Sequence, residues 1–120
     1  MMHRAVRSII PQEVAMFDFL KQKDRTPPVL PEGTVRRHFS ISGQVQGVGF
    51  RYRARYAAQA LELTGWVKNL TDGRVEAELQ GQAKLVDSFV ERISQRGRIV
   101  VEFVEEEDRE LCYEEGFEVR

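Results

Sequence analysis

The 120-residue sequence is poor in cysteine and histidine, with only Cys112, His3 and His38. A single cysteine cannot form a disulfide within the chain, which is typical of proteins from a reducing compartment. These three residues also lack the spacing of a zinc site, so we expect no metal. The net charge of −1 gives no electrostatic case for binding nucleic acid, and the apolar content favours a compact core over a membrane span.

Proline is also scarce, and three of the four prolines fall within Thr26–Gly33. Such a segment excludes regular structure and predicts a linker between an N-terminal extension, residues 1–34, and a domain at residues 35–120. Within the extension, Pro11–Lys23 has the spacing of a short helix. We expect neither a secretory signal nor a mitochondrial presequence, because a long apolar run is missing and acidic residues are present. The extension could dock on the domain, mediate dimerisation or stay mobile, and we favour a weakly ordered arm.

The stretch Gly43–Arg51 carries three glycines between two periodic segments. Apolar residues alternate from Val35 to Ile41, which indicates a strand, and recur at helical spacing from Ala54 to Leu61. Glycines let the backbone approach a ligand, and the first amides of a helix lack partners within the helix. With the guanidinium of Arg51 beside them, these amides would form a cradle for an anion.

A purely structural role would also fit this stretch. Glycine often serves only to turn the chain, and many arginines at helix starts are simply solvated. The stretch has neither the Gly-Lys-Ser/Thr ending of a Walker loop nor the Gly-x-Gly-x-x-Gly spacing of a dinucleotide site. Five arginines and no acidic residue between Gly33 and Leu61 nevertheless favour a small anion here.

The order of elements predicts an α+β fold of the ferredoxin-like βαββαβ type, an antiparallel sheet with two helices on one face, plus a short C-terminal strand. We predict strands at 35–44, 64–70, 74–80, 99–104 and 116–120, and helices at 51–62 and 82–95. The acidic run Glu105–Glu110 is expected to be a solvated connection. In this plan, the hairpin end that carries Asn69 would have to approach the loop after the first strand.

RNA-recognition domains share this fold, which raises RNA binding as an alternative. Their third strand exposes aromatic residues that stack on bases. The third strand predicted here, Arg74–Gln80, has no aromatic residue and has two outward glutamates, which would repel phosphate. RNA binding by this face is therefore not expected.

The chain resembles the acylphosphatase family in two motifs. They are Gly43-x-Val45-Gln46-Gly47-Val48-x-Phe50-Arg51, and Gly65-Trp66-Val67-x-Asn69 followed by Asp72-Gly73-x-Val75. The resemblance covers roughly Val35 to Arg120. It implies a ferredoxin-like enzyme that hydrolyses acyl phosphates to a carboxylate and inorganic phosphate, with no metal or other cofactor.

The resemblance also implies the roles of individual residues. The catalytic pair would be Arg51, which binds phosphate, and Asn69, which positions the attacking water. The phosphate-binding loop would consist of Gln46, Gly47, Val48, Gly49, Phe50 and Arg51. We expect a cytoplasmic monomer whose partner is a small acyl phosphate, not nucleic acid or membrane.

Two departures from the family pattern stand out. The extension at residues 1–34 is longer than the domain needs, and Gln95–Val101 replaces the Gly-Pro and polar stretch that is common in the family. Neither departure touches the phosphate loop, so they bear on stability, oligomerisation or the edge strand rather than on chemistry. The alternative to the enzyme is a non-catalytic anion-binding or interaction module of the same fold. The presence of Asn69 favours the enzyme, because an anion sink does not need a residue that orients water.

Overall fold

A computed structural model describes residues 30–120 of the chain, so the helix expected at Pro11–Lys23 lies outside the described residues. Seven elements follow one another: β1 Thr34–Gln44, α1 Phe50–Ala60, β2 Thr64–Asn69, β3 Val75–Gln82, α2 Ala83–Ile93, β4 Val100–Arg109 and β5 Phe117–Val119. The predicted order is confirmed, with most boundaries moved by only one or two residues. None of the described helices is long and apolar enough to cross a membrane.

The five strands form one sheet in the order β4-β1-β3-β2-β5. The first four are paired antiparallel, as expected, whereas β5 runs parallel to β2 at the sheet edge, which makes the whole sheet mixed. Both helices pack against one face of the sheet and contact each other. This is the predicted ferredoxin-like α+β architecture, with β1 and β3 at its centre.

The core lies between the sheet and the helices. Val75, Ala77 and Leu79 alternate along β3 and are fully buried, as their spacing predicts. On α1, the buried residues Ala54 and Ala58 have small side chains, which let the helix lie close to the sheet. Burying each larger core side chain contributes about 1.5–3 kcal/mol to folding.

The expectation for the acidic run was wrong. β4 continues to Arg109, so most of Glu105–Glu110 is strand rather than connection. The run tolerates strand structure because β4 is at the edge of the described sheet and its neighbour there, β1, places basic residues beside it. Arg37, for example, donates a hydrogen bond to Asp108 at 3.2 Å. Carboxylates along an edge also discourage pairing with another chain.

The sheet face opposite the helices is built around a buried arginine, Arg36. Its side chain is only 6% exposed and lies 2.8 Å from Glu78 and 2.5 Å from Glu114. Burial opposes its charge, but the hydrogen bonds to Glu114 and Glu78 outweigh burial and raise the pKa of Arg36. Glu114 belongs to the segment 110–116, which links the two edges of the sheet, and Gln80 exchanges two hydrogen bonds with the backbone of Cys112 in this segment.

We expect Arg36→Met to lower the free energy of unfolding by about 3 kcal/mol, because it leaves the largely buried carboxylate of Glu114 without its cation and Glu78 with Arg109 alone. Urea unfolding followed by circular dichroism measures the change. Arg55→Met is the matched control, since Arg55 is exposed on α1 and forms no ion pair within residues 30–120. A loss below about 1 kcal/mol for Arg36→Met would contradict this role.

Candidate functional site

The turn between β1 and α1 forms an open loop with fixed ends. Val45 and Phe50 are each 1% exposed and anchor the loop in the core. Between them, Gly47 and Gly49 have φ angles of 75° and 81°, in the region that favours glycine. A Cβ atom at either glycine would meet nothing within 4 Å, so the outer surface of the loop is free to receive a ligand.

The main-chain amides of this loop are available to a ligand. Gly49 is the N-cap of α1, no side chain caps the helix, and its first turn has no acidic residue. The first helical hydrogen bond joins the Arg53 amide to the Gly49 carbonyl at 3.1 Å. Within residues 30–120, the preceding amides, from Gly47 to Tyr52, donate to no protein acceptor. Free amides at the positive end of a helix are an anion-binding arrangement.

The side chain of Gln46 ties this loop to the β2–β3 hairpin. Its Nε2 donates to the carbonyl oxygens of Leu70 at 2.7 Å and Arg74 at 2.9 Å. Both acceptors belong to the turn that directly follows Asn69. The carboxamide of Gln46 is therefore engaged with the hairpin, and it fixes the distance between the loop and the strand that carries Asn69.

Asn69 is the last residue of β2 and carries an unusual buried atom. Its Oδ1 is buried and has no hydrogen-bond partner among the described residues. A buried acceptor without a partner costs about 1–3 kcal/mol unless water or a ligand occupies it. The carboxamide oxygen of Asn69 therefore has a hydrogen-bonding capacity that no described residue uses.

Arg51 is held on the same side of the molecule as Asn69. Its Nη1 donates to the main-chain oxygen of Arg120 at 2.7 Å, and the Arg120 amide donates to the Val67 carbonyl at 2.8 Å. Val67 lies two residues before Asn69 on β2. No carboxylate side chain pairs with Arg51 in the described part of the chain, and the contact with Arg120 uses only Nη1.

The hairpin turn is stiffened by Asp72 and Arg74. The carboxylate of Asp72 accepts from the Arg74 amide at 3.1 Å and from Arg74 Nε at 2.8 Å. The main-chain and side-chain hydrogen bonds from Arg74 lower the pKa of Asp72. Arg74 Nη1 also donates to the Ser40 hydroxyl at 2.7 Å, which connects the turn to β1.

Comparison with known proteins identifies the family of this chain. The acylphosphatase family model matches residues 37–119. A curated acylphosphatase from Methanospirillum hungatei is 42% identical over 82 residues, which cover 67% of this chain and 90% of that protein. The chain belongs to the acylphosphatase family. An acylphosphatase from Acaryochloris marina is 56% identical over 55 residues, which cover 46% of this chain and 59% of that protein.

Solved acylphosphatase structures have the same fold. An acylphosphatase from Coxiella burnetii aligns with a TM-score of 0.68 and 35% identity over 73% of this chain and 94% of that one. The Bacillus subtilis acylphosphatase gives a TM-score of 0.67 and 34% identity over 72% and 98% of the two chains. The HypF protein of T. kodakarensis also aligns, at 25% identity and a TM-score of 0.63, but only over 12% of its own length. These matches support an acylphosphatase enzyme and not a non-catalytic module.

The structure brings the sequence-predicted residues together at one end of the sheet. The loop contacts the hairpin through Gln46, and Arg51 reaches the strand of Asn69 through Arg120. Phe50 differs from the others in that its side chain is buried in the core, so only its main chain faces the loop. No hydrogen bond joins Arg51 directly to Asn69 within residues 30–120.

Sequence reasoning missed two contacts at the site. It gave Arg74 no role at the site, although this residue links the turn to Ser40 and its carbonyl accepts from Gln46. It also gave no partner for Arg51, which contacts the main chain of Arg120. The Asp72-Gly73 pair predicts the turn itself, but no local sequence pattern shows which side chains form the hydrogen bonds that stabilise it.

We expect Gln46→Leu to lower the free energy of unfolding by about 1–2 kcal/mol, because two hydrogen bonds are lost. Turnover of an acyl phosphate should fall by roughly tenfold or more, because a small misplacement of reacting groups has a large effect on rate. Gln59→Leu, on the exposed side of α1, is the control. Equal turnover in the two variants would show that the link between loop and hairpin does not position the site.

We expect Gly49→Ala to strain the loop without any steric clash, since an added Cβ has free space but φ is 81°. A non-glycine residue in this region costs about 1–3 kcal/mol. Gly33→Ala is the matched control, because Gly33 has φ of 88° and precedes β1 at its other end. Thermal unfolding should show similar destabilisation of both variants, while only Gly49→Ala reduces turnover. Normal turnover by Gly49→Ala would show that activity does not depend on the conformation of the loop at Gly49.

Proposed function

We propose that the loop at residues 46–51 and Asn69 form the active site in which this acylphosphatase family member hydrolyses acyl phosphates. One observation carries this assignment: the unpartnered Oδ1 of Asn69 lies on the strand that is tied to a loop with free amides. An anion-binding loop alone would support binding. An adjacent unsatisfied acceptor supports a reaction with water.

The loop and Arg51 bind the phosphoryl group in this proposal. Amides from Gly47 to Arg51 donate to the equatorial oxygens, and the guanidinium adds a forked pair of donors. Hydrogen bonds to a charged group contribute about 1.5–3 kcal/mol each. Because the donors are fixed before the substrate arrives, they stabilise the charge that develops in the transition state without reorganising.

Asn69 positions the attacking water. Its Oδ1 accepts a hydrogen bond from the water, which orients the oxygen lone pair toward phosphorus but does not remove a proton. The water oxygen forms a bond to phosphorus while the bond from phosphorus to the acyl oxygen breaks, and the carboxylate leaves. A phosphate oxygen of the substrate takes the proton, since neither motif contains a histidine and the carboxylate of Asp72 already accepts two hydrogen bonds from Arg74 in the hairpin turn. The carboxylate is a good leaving group and needs no strong general acid.

All the groups named above come from one copy of the chain. Arg51 and the loop amides belong to the turn before α1 and its first residues, and Asn69 belongs to β2. We therefore propose that a monomer suffices for activity, and sedimentation at the assay concentration tests this.

We expect phosphate release from acetyl phosphate in the presence of a chelator, measured as inorganic phosphate. Arg51→Ala and Asn69→Ala should each reduce turnover by roughly 10²–10³, the effect of losing one preorganised group. The two variants should differ in phosphate binding, which Asn69→Ala retains and Arg51→Ala loses. Arg55→Ala and Gln59→Ala, both exposed on α1, are the matched controls.

Two outcomes would contradict the proposal. Normal turnover by Asn69→Ala would show that Asn69 does not position the attacking water. Normal phosphate binding by Arg51→Ala would show that the phosphoryl group lies elsewhere. A folded wild-type chain that binds phosphate but releases none from acetyl phosphate would instead favour the non-catalytic module.

A further inference from the structure

The described arginines fall into two sets according to their partners. Those of the sheet side form ion pairs with carboxylates: Arg36, Arg37, Arg74, Arg109 and Arg120. Those on the helices and the turn after α2 have no carboxylate side chain as a partner within residues 30–120: Arg51, Arg53, Arg55, Arg92, Arg96 and Arg98. The helix side of the molecule therefore carries guanidinium groups whose charge no carboxylate side chain neutralises directly within residues 30–120.

Three of the unpaired arginines surround one groove between the helices. Arg53 lines it from α1, and Arg92 and Arg96 line it from α2 and the following turn. Ile93 is buried at the groove, and Tyr56, which is 71% exposed, forms part of its wall. The groove has a volume of about 230 Å³, and none of its lining residues is acidic.

Local geometry places two of these guanidinium groups. Arg53 Nη2 lies only 3.1 Å from the position that a Cβ atom would occupy on Gly97, so the glycine leaves room for the arginine. Gly97 has φ of 56°, which favours glycine for a second reason. Arg96 Nε donates to the Arg92 carbonyl at 2.9 Å, which holds its side chain over the end of α2.

We propose that this groove, lined by Arg53, Arg92 and Arg96, binds a compact anion with two linked phosphoryl groups. A phosphoryl group carries about −1.5 to −2 charges at neutral pH, so two of them carry about −3 to −4 charges, which three guanidinium groups largely neutralise. Guanidinium forks match phosphoryl oxygens in pairs. The volume is below the ~300–1,000 Å³ of clefts for drug-sized ligands, which favours a small anion over a large organic ligand. This site is separate from the loop at residues 46–51.

The test is a titration of the isotope-labelled full chain with sodium pyrophosphate at constant ionic strength, followed by amide NMR. In the Arg51→Ala protein, whose loop site is weakened, we expect saturable shifts around residues 53–60 and 92–98. Replacing all three groove arginines, as Arg53→Gln with Arg92→Gln and Arg96→Gln, should weaken the binding that these shifts report by at least about tenfold. These three side chains are exposed, so the fold should tolerate the change.

The control variant removes the same charge outside the groove, as Arg55→Gln with Lys84→Gln and Arg98→Gln. It should retain binding within about twofold. Equal weakening by the two triple variants would show general charge attraction and overturn the proposal. Shifts confined to residues 46–51 of the wild type, or equally tight binding of a glutamate-rich peptide, would also overturn it. A wild type that shows the groove shifts but lacks acyl phosphate turnover would refute the proposed function alone.

Discussion

The two hydrogen bonds from the Gln46 carboxamide to the hairpin carbonyls of Leu70 and Arg74 are the contacts on which the site depends. They join two turns that are far apart in sequence and lie at the same end of the sheet. The turn after β1 brings free amides and Arg51, and the hairpin brings Asn69. Because β1 and β3 are adjacent antiparallel strands at the centre of the sheet, the core itself holds both turns in place. The fold thereby holds the candidate site in one arrangement, which is the preorganisation that the proposed reaction needs.

Charge is distributed in two patterns across the molecule. On the sheet side, carboxylates neutralise the arginines, and the buried ion pairs of Arg36 secure the segment that links the outer strands. At the loop and along the helices, guanidinium groups such as Arg51 and Arg53 have no carboxylate partner in the described part of the chain. The net charge of −1 is therefore unevenly distributed, and we propose that the basic side binds small anions. The acidic strand β4 lies beside basic residues of β1, so within residues 30–120 its carboxylates do not pair with the arginines of the two helices.

Much of this could be predicted from the sequence, because the decisive signals are local. Alternation identified β3, glycines and Arg51 marked the loop, and Asp72-Gly73 marked the hairpin. The end of β4 was missed, since a run of acidic residues looks like a solvated connection until its basic neighbours on β1 are known. The contact of Arg51 with Arg120 depends on the parallel pairing of β5 with β2, which no local pattern encodes. Contacts set by strand order require the structure.

A crystal structure of the chain with a bound phosphate ion would decide whether the loop and Asn69 form one active site. We predict phosphate oxygens on the amides of residues 47–51 and on the Arg51 guanidinium. We also predict an ordered water that donates to Asn69 Oδ1 and faces the phosphorus atom. Phosphate bound away from this loop, or Asn69 Oδ1 turned toward a protein donor while phosphate occupies the loop, would contradict this assignment.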